Sequence, residues 1–295
     1  MKVRLVDVDS RIPNLALMKL SAHHKGRGHT VSFDEPDPDL IYASVIFSKN
    51  RWKADGLRFM FPNAEIVIGG SGYDLTIHLP DEIERIKPDY DLYPKMQYSL
   101  GFTTRGCIRA CPFCIVPQKE GRFRKAQHIR EWHDDRFSST VCLDNNVYAD
   151  KAWFFENTDY VLESGLKYNA VQGMDIRILD EEIAGRLADL KWSGQMHFAF
   201  DNLRDEADVR RGIQLLQDAG VRTRHDVSMY VLVGYNTTPT EDLHRIRVLR
   251  EIGATAFVMQ YRRSPWTRRF ARLLNRPQIF WSCDLDTTFP EGVRA

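Results

Sequence analysis

The chain has 295 residues, 43% of them hydrophobic, enough to bury an ordinary globular core, so disorder is not the default reading. Lys and Arg number 41 against 40 Asp and Glu, which excludes a global field steering the protein to nucleic acid or an anionic membrane; any such partner must be recognised locally. Five cysteines, three of them within eight positions, suit metal ligation in a reducing compartment better than a disulfide framework.

The start, MKVRLVDVDSRIP, carries acids within its first ten positions and lacks the long apolar run of a signal peptide or spanning helix. The expectation is a cytoplasmic protein with no membrane partner. Residues 2–6 (KVRLV) form an apolar run, 14–25 (NLALMKLSAHHK) have helical spacing, and 29–33 (HTVSF) alternate as a strand does. Runs at Leu40–Phe47 and Glu65–Ile68, the second closed by Gly69 and Gly70, continue a strand-and-helix alternation that predicts a parallel sheet. Residues 1–80 therefore read as a small Rossmann-like, doubly wound α/β domain. The stretch LPDEIERIKPDYDLYP, with three prolines, places a linker at 81–96, where Pro88 stops a short helix begun near Asp81.

Beyond it, YSLGF, STVCL, NAVQGM, MHFAF, VSMYVLVG and TAFVMQY alternate with helix-like segments such as DEEIAGRLADLKW and DEADVRRGIQLLQDAG. Six such strands predict a partial (β/α)6 TIM-type barrel over 97–263. Functional residues then belong at the carboxyl ends of the strands. Those positions are the loop from Arg105, Asp144–Asn146, Gln172–Arg177, Asp201 with Asn202, Gly234–Asn236 and Tyr261–Arg263.

The first of these loops, GFTTRGCIRACPFCIVPQKEG, sets Cys107, Cys111 and Cys114 in a C-x3-C-x2-C spacing. Three thiolates on a 4Fe-4S cluster, which ordinarily takes four cysteines, leave one iron open. A structural zinc knuckle using the same cysteines plus a remote His or Cys is the bland alternative. Cys142 and Cys283 read as small buried hydrophobes.

The triplet, with Phe113 just before its last cysteine, resembles the signature of the radical S-adenosylmethionine (SAM) superfamily. The resemblance implies a 4Fe-4S cluster on Cys107, Cys111 and Cys114 whose open iron binds SAM. It also implies reductive cleavage of SAM to methionine and a 5'-deoxyadenosyl radical that abstracts hydrogen from substrate, and an electron donor such as flavodoxin or ferredoxin. Hard chemistry of this kind belongs to the cofactor, and the protein supplies position and exclusion of water. The resemblance further assigns cofactor contacts to Phe113, to Asp144, Asn145 and Asn146 after the second strand, and to Asp201 and Asn202 after the fourth. Gly234, after the fifth, would let adenine lie against the backbone. The usual pair of glycines with an acid is absent at 143–146, although a carboxylate and two amides can accept from an ammonium group. Gln172, Asp175 and Arg177 interrupt the third strand and face the same cavity. For each of these positions a plain polar turn is the alternative.

A Rossmann-like domain ahead of such a barrel, with its IVIGGSGYD stretch, resembles the cobalamin-binding subfamily. That resemblance implies cobalamin as a further cofactor and a cobalamin-dependent methyltransferase as an alternative function. The loop DVDSRIPNLALMK has no D-x-H-x-x-G pattern, however, and so no histidine for cobalt. His23, His24 and His29 read as surface residues, since helix neighbours point in different directions.

Finally, Tyr261–Phe280 (YRRSPWTRRFARLLNRPQIF) holds six arginines, no acids and interspersed aromatics, within an Arg-rich C-terminal segment at 264–295. Guanidinium and aromatic groups pair phosphates and stack bases, so Arg262–Arg276 points to a nucleic-acid or nucleotide substrate. A solvated helix face with Phe270, Leu273 and Leu274 packed inward explains the same composition. A non-catalytic metal-cluster protein binding nucleic acid through this segment is the alternative of a different class.

Overall fold

The computed structural model describes residues 1–290; the last five residues of the predicted 264–295 segment lie outside them. Four strands, β1 (Lys2–Asp7), β2 (Thr30–Ser32), β3 (Leu40–Ser44) and β4 (Glu65–Gly69), make a parallel sheet in the order β2-β1-β3-β4. Alternation along the strands feeds both faces of this sheet. Val3, Leu5 and Leu40 pack with Leu17, Met18 and Leu20 of the helix Leu15–Lys25 on one side, while Ile41, Ala43 and Ile68 pack with Ala54 and Leu57 on the other. The helix starts where Asn14 accepts the Leu17 N–H at 3.2 Å, and its last turn carries Lys25, whose charge complements the dipole. The Rossmann-like α/β reading of this region is what the sheet shows.

Residues 81–96 form a helical turn at Asp81–Glu84 and a 3-10 turn at Tyr90–Leu92, and they bury Ile83, Tyr90, Leu92 and Met96. These side chains join one apolar cluster with Val3 and Leu5 before them and Leu100 and Val141 after them. At about 1.5–3 kcal/mol for each large apolar side chain fully buried, this stretch fastens the two halves of the chain together.

The remaining strands are β5 (Ser99–Gly101), the hairpin β6 (Thr104–Arg105) and β7 (Arg124–Lys125), β8 (Ser139–Cys142), β9 (Lys167–Ala170), β10 (Lys191–Trp192), β11 (Met196–Ala199), β12 (Val227–Val233) and β13 (Thr255–Gln260). One parallel sheet runs β10-β9-β8-β5 and another β11-β12-β13. The two meet at a single parallel bridge, Met174 to Phe198, where the Met174 N–H donates to the His197 carbonyl at 2.7 Å. The architecture is thus mixed α/β with parallel sheets. The third predicted strand, NAVQGM, is displaced toward the N-terminus: β9 ends at Ala170, so Gln172, Asp175 and Arg177 follow the strand rather than interrupt it. Asp175 ends any extended run by capping the 3-10 turn Ile176–Ile178 through the Arg177 N–H.

Helices Lys151–Glu163, Glu181–Asp189, Glu206–Asp218 and Pro239–Glu251 cover the outer face, and Phe198, Met229, Val231 and Val258 of the strands pack into the same large core as Leu187, Ile213 and Leu249 of the helices. The opposite parity, His197, Tyr230 and Phe257, stays less buried, with the His197 ring stacked on Tyr230 at 5.0 Å. Buried Arg245 donates to the Phe200 and Leu232 carbonyls at 2.8 Å and pairs with Asp242 at 2.6 Å, tying the ends of β11 and β12. Among the described residues no helix is long and apolar enough to cross a membrane.

Candidate functional site

The cysteine loop leaves the carboxyl end of β5 and is closed at its base by the antiparallel β6–β7 pair and a Cys107–Arg122 bridge. Gly106 has a φ of +72°, and a Cβ there would lie 2.2 Å from the Arg122 carbonyl oxygen, so no side chain fits. Its N–H donates to the Glu120 carboxylate at 3.0 Å. Glu120 also accepts from Asn145 Nδ2 at 3.0 Å and Arg105 Nη1 at 3.4 Å, while Asn145 donates to the Gly106 carbonyl at 3.2 Å. Asp144, 1% exposed, accepts from the backbone N–H and hydroxyl groups of both Thr103 and Thr104. Burial raises its pKa against these four hydrogen bonds. Asp144 and Asn145 therefore face the base of the loop.

Cys107, Cys111 and Cys114 are free and partly exposed. The Arg109 N–H points at Cys107 Sγ at 3.3 Å and the Val116 N–H at Cys114 Sγ at 3.5 Å. Burial pushes the Cys107 and Cys111 thiols above their ordinary range, and charge on the neighbouring cysteines pushes them the same way. A positively charged metal would be needed to hold these sulfurs as thiolates. Among the described residues no three His, Cys, Asp or Glu side chains gather about a single ion position, the arrangement a zinc knuckle demands. A cubane places each thiolate on a different iron, and a donor set of three cysteines in one loop, with backbone N–H groups aimed at two of the sulfurs, fits the chemistry of such a cluster.

Opposite the loop stands an ion-pair chain. Arg109 Nε lies 2.7 Å from Asp175, Arg177 Nε 2.7 Å from the same carboxylate, and Arg177 Nη1 3.4 Å from Asp205. Burial opposes ionisation of Asp175, but hydrogen bonds from Arg177 and Arg109 outweigh it and hold its pKa below the usual carboxylate value. The Arg177 charge favours, and the Asp201 charge disfavours, ionisation of Cys111. Asp201 accepts the Leu232 N–H at 2.9 Å, and burial raises its pKa. Asn146 is 3% exposed; its Oδ1 takes the Asp175 N–H at 3.4 Å, while its Nδ2 is buried with no partner among the described residues. Phe113 meets Tyr235 edge-on at 5.3 Å, and Tyr235 meets Tyr261 at 4.7 Å. Gly234, with a φ of +77°, sits against Arg262 and Thr267.

Of the residues singled out in the sequence, the fold thus brings Asp175, Arg177 and Asp201 to the cysteines and Phe113 to the turn at Gly234. Gln172 and Asn202 are exposed, Asn202 capping the turn at Leu203–Asp205. Sequence reasoning gave no individual role to Arg109, Glu120, Thr103 or Thr104, while Tyr235 falls within the Gly234–Asn236 turn it had singled out. Arg109 and Asp175 are 66 positions apart, a separation at which no local pattern exists.

The glycines of IVIGGSGYD are used for packing. A Cβ on Gly70 would lie 2.3 Å from the Val45 carbonyl oxygen and one on Gly72 2.6 Å from the Phe47 carbonyl carbon. Asp9 braces the same segment by accepting from the Ile46 and Phe47 N–H groups at 2.7 and 3.0 Å. Ser71 accepts from Lys119 Nζ of the cysteine loop at 2.6 Å, joining the two regions. The expectation that His24 lies on the surface is corrected: it is 6% exposed, within 2.9 Å of His29 and 3.2 Å of Tyr42. Burial lowers its pKa to about 4, so it is neutral. The helix turns this residue inward because the strand neighbour Tyr42 offers it a hydroxyl.

No family model matches the chain. It is 27% identical over 156 residues to the ribosomal protein uS12 methylthiotransferase RimO of two Leptospira biflexa strains, an alignment covering 50% of this chain and 32% of theirs. The chain therefore spans about a third of the length of the curated relatives it matches. This similarity, joined to the cysteine loop at the carboxyl end of β5, supports a place in the radical SAM superfamily at most.

Proposed function

We propose that the chain is a radical SAM enzyme holding a 4Fe-4S cluster on Cys107, Cys111 and Cys114, and that its two sheets form the partial barrel of such enzymes. The observation that carries this reading is a loop of three free cysteines within eight positions, pinned at the carboxyl end of the first strand of a parallel sheet. The cluster, when bound, supplies the electron that cleaves SAM reductively to methionine and the hydrogen-abstracting 5'-deoxyadenosyl radical.

The chain's own residues bind and position. Asn146, whose buried Nδ2 lacks a partner among the described residues, would donate to the carboxylate of SAM, and Phe113 with the Gly234 turn would bound the adenine. Asp144, Asn145 and Glu120 act one layer back, fixing the base of the loop. Arg109 and Arg177, held by Asp175, place positive charge beside the thiolates and offset part of their negative charge.

Anaerobic reconstitution with iron and sulfide, then dithionite and SAM, tests the reading. About four irons per chain and release of 5'-deoxyadenosine with methionine are expected. Alanine at any of the three clustered cysteines should abolish that release and alanine at Cys283 should leave it largely intact; retained cleavage in the first set overturns the ligand assignment.

A further inference from the structure

Beyond the end of β13 the chain gathers guanidinium groups around one cavity of about 480 Å³, lined by Gln260, Arg263, Arg268, Arg272, Asn275 and Arg276, together with Ala271. The helix Pro265–Leu274 dictates this arrangement. Phe270, Ala271 and Leu274 face inward and are buried, so the remaining face presents Arg268 and Arg272, one turn apart and exposed. Arg276 continues the row, because its N–H donates to the Leu273 carbonyl at 3.2 Å and keeps the chain turning after the helix. Arg263 projects from the strand-to-helix connection across the cavity.

Two features separate this face from an ordinary solvated helix. Many arginines elsewhere in the protein are tied to carboxylates, as Arg177 is to Asp175, Arg210 to Glu251 and Arg222 to Asp226. Among the described residues Arg263, Arg268, Arg272 and Arg276 have neither a hydrogen bond nor an ion pair from their side chains, and no acid lines the cavity. Four like charges converging on one hollow without a counter-ion repel one another unless an anion joins them. SAM does not answer that need, since it carries a sulfonium and no phosphate.

The spacing chooses among anions. From Arg268 to Arg276 the row advances roughly 12 Å at 1.5 Å per residue, longer than one phosphate and suited to several in succession. A base attached to such phosphates would find an exposed aromatic ring just past the strand, Tyr261 (45% exposed), next in the chain to Gln260 of the cavity wall. Tyr261 touches Tyr235, and Tyr235 touches Phe113 in the cysteine loop, so an aromatic path leads from the arginine face to the thiols.

We propose that this face binds the phosphodiester backbone of a single-stranded nucleic acid and directs it past Tyr261 toward the cysteine loop. The binding stands by itself; only the strand's role as substrate rests on the radical SAM reading.

The test is fluorescence anisotropy of labelled twelve-nucleotide DNA and RNA strands against the full chain after cluster reconstitution, across a salt series. Each phosphate neutralised contributes a slope of about −0.7 in log K against log salt for a single strand. The paired variant Arg268→Gln with Arg272→Gln should lower the salt dependence by about 1.4 and weaken binding at least about tenfold at low salt. A second pair outside the helix, Arg263→Gln with Arg276→Gln, should do the same without touching helix packing. Tighter binding of RNA or of DNA identifies the sugar. The proposal is overturned if neither strand binds at low salt, if both paired variants keep the parent slope, or if ATP displaces the label as well as unlabelled strand does. Anisotropy needs no SAM cleavage, so failure here leaves the cluster assignment standing, and failure of the cluster leaves this measurement valid.

Discussion

Replacing Glu120 by Gln removes a charge on which three donors converge: the Gly106 N–H at 3.0 Å, Asn145 Nδ2 at 3.0 Å and Arg105 Nη1 at 3.4 Å. The Glu120 side chain is 9% exposed and that of Arg105 19%, so water replaces these bonds poorly. The two close donors share one carboxylate oxygen, Oε2, so the glutamine carbonyl can still accept from both while its N–H2 group turns toward Arg105. Both close bonds lose their charge assistance, and Arg105 keeps only Glu84 at 3.2 Å. With hydrogen bonds to charged groups contributing about 1.5–3 kcal/mol each, the variant should lose about 2–3 kcal/mol. That corresponds to roughly 3–5 °C in Tm for a chain of this size. Melting by circular dichroism of the metal-free protein reads the stability. The reaction rate of the clustered thiols with a disulfide reagent reads the loop, whose base should open more often and expose the thiols. A Tm within about 1 °C of the parent together with unchanged thiol rates would refute the clamp.

Gly212→Ala in the helix Glu206–Asp218 offers a test of sign. Alanine in a helix interior ordinarily gains about 1 kcal/mol. Here its Cβ would lie 2.3 Å from Ile176 Cγ1, in the turn between Asp175 and Arg177, so a net loss of about 1–3 kcal/mol is expected in denaturant melts. A stabilised variant would show that the turn yields freely. Asp175→Asn should cost about 1–3 kcal/mol at neutral pH. The folded pKa of Asp175 lies below the usual 3.8, so its contribution is full above that value and disappears as pH falls through the depressed one. The stability gap between parent and variant should hold steady from neutral pH to mild acid and close only below the ordinary carboxylate range; a gap already closing in mild acid would contradict the pairing with Arg109 and Arg177.

Much of this protein is local enough to be read from residue order. Apolar alternation located the strands of both halves, because burial on one or two faces imposes its period on the chain. The spacing of Cys107, Cys111 and Cys114 determined which side chains can share a cluster, since a short loop brings them together whatever surrounds it. The arginine run of Tyr261–Phe280 was equally plain. Tertiary structure decided the rest. Asp144 and Asn145 look like cofactor contacts in the sequence but are drawn to the loop base, because the Thr103 and Thr104 N–H groups and the Gly106 carbonyl lie there. Glu120 and Arg109 gain meaning only when a hairpin and a distant turn meet them. Gly70 and Gly72 fit a nucleotide loop by pattern, yet close packing on Val45 and Phe47 claims them. Hydrophobic period is a property of neighbouring residues, whereas the partner of a polar side chain is set by whichever unsatisfied group the fold carries to it across scores of positions.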